Sequence, residues 1–332
     1  MISGDTMNTK YILIIIVVVA VALGASYAFY RERESSPMII RAGTLQGGIS
    51  TLDIMQYYNL SEKYGYELQV YRFDKTTDII NALASGSIDV AVIPSEMAAN
   101  MLLQNISVKI IAPEMLQNQA ILTVKGNISA QELKGKTVAT LLSTGTYMMF
   151  KAYMKYIYNI TVSEQGKGND TIYAINTLPG SFLDVMREND IYAIIAWEPF
   201  VSEAVVNYNA SIIADYQTFW KEANMSGEPV MLIWVASPSA SNNKELINSF
   251  LKTREDAVNI WNGNENETIS ALMSIYNLNE KTAEYLYSRV TVLDNNLSQG
   301  VIDGIRSSWK LAWIGGYLTS DPSSIGDQVF YK

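Results

Sequence analysis

Ile191–Phe200 reads IYAIIAWEPF. Ile191–Ala196 is a short apolar run with a β-branched bias, the mark of a strand buried on both faces. It ends at Trp197, Glu198 and Pro199. Proline has no N–H and a fixed φ, so the ladder stops there. Phe200–Val206 then reads as a helix carrying Glu203 in its first turn. A large aromatic and a carboxylate therefore stand at the carboxyl end of a buried strand. In open α/β sheets that end borders the ligand crevice. The alternative is a Trp that caps the core and a Glu in solvent.

Composition narrows the function. The chain has 332 residues, 48% hydrophobic and 17% charged, enough for two lobes with a core in each. There is no cysteine, hence no disulfide, thiolate metal site or lipid-anchoring Cys. There is no histidine, which removes His triads, His-ligated zinc and His general bases. The net charge is −9 without a Lys/Arg cluster, so nucleic acid is not an expected partner.

Residues 1–10 form a short polar tail. Tyr11–Tyr30 holds 20 residues without a charge, long enough to span a bilayer. Its length favours an uncleaved membrane anchor over a cleaved signal segment. Residues 31–37 are a stalk. Strand and helix then alternate: strand Met38–Gly43, helix Leu52–Tyr64, strand Glu67–Phe73, helix Asp78–Ala84, strand Ile88–Ile93, helix Met97–Gln104, strand Val108–Ala112. Ala120–Val124 reads as a strand crossing to a second series: strand Lys136–Leu142, a long helix from Thr146, strand Thr171–Leu178, helix Phe182–Arg187, the opening strand, and strand Ala210–Ala214. Pro229–Ala236 reads as the return strand. The tail is helical over Lys244–Trp261, Glu267–Tyr276, Glu280–Val290 and Gln299–Leu318. The pattern describes an α/β chain, with lobe 1 over 38–124 and 228–332 and lobe 2 over 125–227.

Three loops at strand carboxyl ends lead toward helix starts: Thr44-Leu45-Gln46-Gly47-Gly48, Pro94-Ser95-Glu96 and Ser143-Thr144-Gly145-Thr146. Free N–H groups and the helix dipole make such starts anion sites. Ordinary N-capping by Ser and Thr would produce the same residues. No dinucleotide, P-loop or nucleophile-elbow motif is matched, so no cofactor is expected. Asp53, Glu96, Glu114 and Glu198 have the chemistry to hold a hard cation, but their spacing matches no calcium loop, and no metal is expected. Nine N-x-[ST] sequons occur, at Asn59, Asn105, Asn127, Asn159, Asn169, Asn209, Asn224, Asn266 and Asn296. Chance gives roughly four. The excess suggests a glycosylated surface outside the cell.

With these residues in view, the chain resembles the substrate-binding proteins of ABC transporters for nitrate, sulfonates, taurine and thiamine-precursor pyrimidines. The likeness runs from about Ile39 to Tyr317. It is carried by ALASGSIDVAVI at Ala82–Ile93, LKGKTVA at Leu133–Ala139 and AWEPFVSEA at Ala196–Ala204. The resemblance implies the type II periplasmic-binding-protein fold, two lobes joined by two strands and closing on a solute. It also implies a cleft lined by Thr44, Leu45, Gln46, Gly47, Ser95, Glu96, Ser143, Thr144, Gly145, Thr146, Trp197 and Glu198. Glu96 stands where many members carry a small or neutral residue. The usual Cys-anchored lipoprotein signal is absent, and the apolar N-terminal segment would replace it.

The expected function is a monomeric, membrane-tethered binder of a small organic anion or zwitterion, working outside the cell with a permease and its ATPase. Glu96 or Glu198 would take an amine or ring N–H. A binder of a thiamine-precursor pyrimidine and a sensor ectodomain without a transporter are the alternatives. An enzyme on this fold is disfavoured, because the pyrimidine-forming enzyme that resembles the family relies on histidine and a Cys-rich segment.

Overall fold

The computed structural model describes residues 38–331, together with the isolated helical positions Val19 and Val21. The tail, the apolar segment Tyr11–Tyr30 and the stalk expected from the sequence lie outside the described residues. Among the described residues no helix is long and apolar enough to cross a membrane.

Two sheets organise the chain from Ile40 onward. The first has five strands in the order β2-β1-β3-β11-β4: β1 (Met38–Leu45), β2 (Tyr66–Phe73), β3 (Val90–Pro94), β4 (Lys109–Leu116) and β11 (Val230–Ala236). β1 and β3 are parallel, and β11 runs antiparallel to both β3 and β4. The second has six strands in the order β10-β5-β9-β6-β8-β7: β5 (Ala120–Thr123), β6 (Thr137–Thr140), β7 (Thr161–Ser163), β8 (Thr171–Asn176), β9 (Ile191–Ala196) and β10 (Ser211–Asp215). β9 is parallel to β6 and antiparallel to β5. Its faces feed two different cores. Ala193 and Ile195 join the cluster around Tyr147 and Tyr153, while Ile194 and Ala196 join the one around Phe182. Burial on both faces explains why the strand shows no polar alternation.

The helices are α1 (Thr51–Tyr57), α2 (Thr76–Ser85), α3 (Ser95–Leu103), α4 (Gly145–Tyr158), α5 (Phe182–Val185), α6 (Phe200–Tyr208), α7 (Tyr216–Glu222), α8 (Lys244–Gly263), α9 (Glu265–Tyr276), α10 (Glu280–Arg289) and α11 (Gln299–Ile314). α11 packs against α3 beside the first sheet and against α4 beside the second, and α10 packs on α6. At the end of α11, a Cβ on Gly315 would fall 2.7 Å from that of Ala152 on α4, so the contact demands a bare backbone.

Several details differ from the sequence reading. The helix expected over Leu52–Tyr64 is two pieces, because Asn59 takes a left-handed φ of 52° and a 3-10 turn follows. β7 and α7 were not anticipated, and β4 runs on to Leu116. The chain changes sheets at Gln117–Gln119 rather than near Val124, since Ala120–Thr123 already belongs to the second sheet. The return runs from Ala223 to Pro229. The two crossings are joined by Gln117 N donating to Pro229 O at 2.8 Å. There the return also presses on α11, where a Cβ on Gly304 would meet the Glu228 carbonyl carbon at 2.8 Å.

Five of the nine sequon asparagines, Asn59, Asn105, Asn159, Asn209 and Asn224, sit at positive φ. Asparagine is the side-chain-bearing residue that tolerates this conformation best. A backbone requirement therefore accounts for those five Asn without reference to glycans. All nine are exposed.

Candidate functional site

A cavity of about 50 Å³ lies between the sheets, room for about four waters or one small solute. Its wall draws on both. Thr44, Leu45, Val92, Pro94 and Glu96 come from the ends of β1 and β3 and the start of α3. Thr144, Gly145, Thr146, Trp197 and Glu198 come from the start of α4 and the end of β9. Much of the wall is apolar, with Ile49, Ile79, Met115, Met149 and Leu232. Among the described residues no Lys or Arg lines it.

Eight of the twelve residues named from the sequence line this cavity: Thr44, Leu45, Glu96, Thr144, Gly145, Thr146, Trp197 and Glu198. Gln46, Gly47, Ser95 and Ser143 do not. Gln46 N donates to Phe73 O at 2.8 Å, and the Gly47 carbonyl accepts from Trp197 Nε1 at 3.2 Å. Ser95 is buried, and its carbonyl accepts from Trp309 Nε1 at 2.8 Å. The Ser143 hydroxyl is buried without a partner beside the cavity-lining turn.

Trp197 combines the two readings of its position. It is 4% exposed and meets Phe182 and Phe200 edge to face, with ring centres at 5.5 and 5.9 Å. It is a core residue whose ring also forms part of the cavity wall. Glu198 is not in solvent; it is completely buried. Its Oε1 accepts from Arg289 Nε at 2.7 Å and its Oε2 accepts from Ser202 N at 3.1 Å. Burial raises its carboxyl, and Arg289 opposes that. Glu198 is thus already engaged by groups of the protein itself.

The expected convergence of three anion-binding helix starts is also corrected. At α1, Ser50 N donates to Asp53 Oδ2 at 3.0 Å, and Thr51 N donates to Glu114 Oε1. The protein's own carboxylates take those donors. At α3 the first turn carries Glu96 itself. At the start of α4, Thr144 caps Tyr147 N at 3.4 Å, the ordinary N-capping that was the alternative reading, and Gly145 and Thr146 follow in the cavity wall.

The four carboxylates considered for a cation have separate fates. Asp53 pairs with Arg72 at 2.7 Å, Glu114 with Arg254 at 2.9 Å and Glu198 with Arg289 at 2.7 Å. Glu96 has no cationic partner: Ser95 Oγ is 3.5 Å from its Oε2, and its Oε1 has no hydrogen-bond partner. Burial pushes its carboxyl up to about 7.

Sequence reasoning missed Gln117, Asn118 and Gln119, which line the cavity at the crossing between sheets. Three amides in a row between the apolar ends of two strands were the available signal. Thr76 on α2 and Ser308 on α11 were missed as well. Nothing in their helical settings separates them from ordinary buried hydroxyls.

The model of the NMT1-like family matches residues 48–275. The taurine-binding periplasmic protein of Escherichia coli (strain K12) is 24% identical over 189 residues, covering 56% of this chain. The chain spans about half the length of that relative, 55%. Among solved structures, the alkanesulfonate-binding protein SsuA from Xanthomonas axonopodis pv. citri bound to MOPS superposes with a TM-score of 0.71 at 15% identity, covering 90% of this chain and 99% of that one. The periplasmic nitrate-binding protein NrtA from Synechocystis PCC 6803 gives 0.66 at 15% identity, covering 89% and 87%. These likenesses establish the periplasmic-binding-protein fold. The family match covers well over half of the sequence, and the chain belongs to the NMT1-like family.

Proposed function

We propose that the protein is the solute-binding component of an ABC importer, capturing a small organic anion or zwitterion of the sulfonate or taurine type. The observation that carries this reading is the small cavity walled by the strand ends of both sheets, with an apolar body and a few polar groups. Solute sites favour such interfaces and such linings. The family match and the taurine-binding relative support it. A wall without histidine or cysteine suits capture better than covalent chemistry. In this reading the chain works as a monomer outside the cell, held to the membrane by Tyr11–Tyr30, and hands its solute to a permease and ATPase.

A second reading, a pyrimidine with ring N–H and amino donors, is favoured by Glu96 and the amides at Gln117–Gln119. A thermal-shift screen of the full chain in detergent separates the two, using sulfonates, taurine, nitrate and aminopyrimidines. A solute at a hundred times its Kd stabilises by about 2.7 kcal/mol. A shift with taurine or sulfonates supports the first reading, a shift with pyrimidines alone supports the second, and no shift with any of them overturns both.

A further inference from the structure

Five carboxylates are buried among the described residues, and four of them face an arginine. Asp53, Glu114 and Glu198 have been described; the fourth, Asp89, pairs with Arg41 at 2.8 Å. The fifth is Glu96, 3% exposed, in the cavity wall, with Oε1 unpartnered. The titratable groups around it are Tyr153 on α4, Tyr216 on α7 and Tyr317 just after α11, none of them cationic. Three other atoms in the same wall are buried without a partner: Thr76 Oγ1, Gln119 Oε1 and Ser308 Oγ. Buried polar atoms are normally satisfied, and leaving one unmet is costly, most of all for a charge. Two of these four are carboxylate and amide oxygens, which can only accept, and two are hydroxyls, which can do either. Among the described residues the cavity wall therefore offers Glu96 no positive charge.

We propose that Glu96 binds a protonated amine of the solute, with Gln119, Ser308 and Thr76 completing the polar shell. The solute class is then a small zwitterion with a primary amine, not a simple anion. This rests on the reading of the cavity as a solute site. Glu96 lies against Gly145 at the start of α4, where an ideal Cβ would overlap Oε1. A simple anion drawn to that helix start meets the Glu96 charge at once. A zwitterion brings its own cation to Glu96 and leaves its acidic end for the helix.

The test is calorimetry on the full-length protein with probe pairs that differ in the amine. Taurine is compared with 2-hydroxyethanesulfonate, and 3-aminopropanoate with 3-hydroxypropanoate. The wild type should prefer the amine of at least one pair. Glu96→Gln, close in size to the original, should lose about tenfold to a hundredfold in affinity for it while gaining for the amine-free partner. Circular dichroism confirms that the variant folds. Equal or tighter binding of the amine-free partners by the wild type overturns the amine assignment and leaves the solute-binding function standing. Wild-type amine preference that survives in Glu96→Gln also overturns it. Failure of every probe to bind at millimolar concentration overturns both.

Discussion

Arg289 Nε donates to Glu198 Oε1 at 2.7 Å, fastening the last turn of α10 to the loop that ends β9. Asn118 is held in the same clasp: its carbonyl accepts from Arg289 Nη2 at 3.0 Å, and its side-chain oxygen accepts from Glu198 N at 3.4 Å. One ion pair thus joins a tail helix, the cavity wall and a crossing between sheets.

Removing one partner of a buried pair leaves the other charge without compensation, at a cost of about 3–5 kcal/mol. Arg289 keeps some contact with solvent, its side chain being 15% exposed. Arg289→Ala should therefore lose about 3 kcal/mol, the low end of that range. Adding Glu198→Gln should recover part of the loss. Urea denaturation at neutral pH measures both, and an unchanged midpoint for the single variant contradicts the role given to the clasp.

Glu96 should make stability fall as pH rises. Its carboxyl titrates near 7 in the folded protein instead of its ordinary 4.5. Between those values the folded state holds a proton that the unfolded state has released. Stability declines through that window, and the decline is complete above about 7. A shift of this size corresponds to about 3 kcal/mol. Glu96→Gln should therefore raise stability by up to about 3 kcal/mol near pH 8 and change it little near pH 4. Thermal melts across that range decide the point; a variant less stable than wild type near pH 8 would show that Glu96 serves the fold.

Gly145→Ala should damage the site without unfolding the protein. A Cβ there would overlap Glu96 Oε1 and lie 2.6 Å from Pro94 Cβ. The Glu96 side chain and the Pro94 ring both have to shift to admit it. Solute affinity should drop about tenfold, the effect of losing roughly 1.4 kcal/mol of binding. Calorimetry would refute the close approach by returning wild-type affinity.

Trp197 should matter for folding and binding together. Trp197→Ala removes a ring held by Phe182 and Phe200 and should cost about 3–5 kcal/mol of stability. Trp197→Phe keeps much of that packing but loses the hydrogen bond to Gly47, worth about 1 kcal/mol. Denaturant midpoints rank the three proteins. If Trp197→Ala matched wild type in stability, the ring would not be part of the core.

The sequence exposed the sheets more readily than the site. β9 and β3 announced themselves because burial on both faces leaves long apolar runs, and Gly86 marked a helix end through its left-handed backbone. The break at Asn59 was hidden because asparagine also occurs inside helices. At the site, strand ends were a sound guide to Thr44, Glu96, Thr144 and Trp197. They could not separate Glu198 from Glu96, since the distinguishing fact is an arginine 91 residues away in the chain. Gln117–Gln119 was overlooked because crossings carry no periodicity.

The bond from Gln117 N to Pro229 O makes the two crossings a single ribbon. Gly227 and Gly304 press that ribbon against α11 with no side chain between them. A side chain at either glycine would run into backbone atoms, so the contact is closed to every other residue. Two residues without side chains thus fix how closely a crossing approaches the helix that packs beside both sheets.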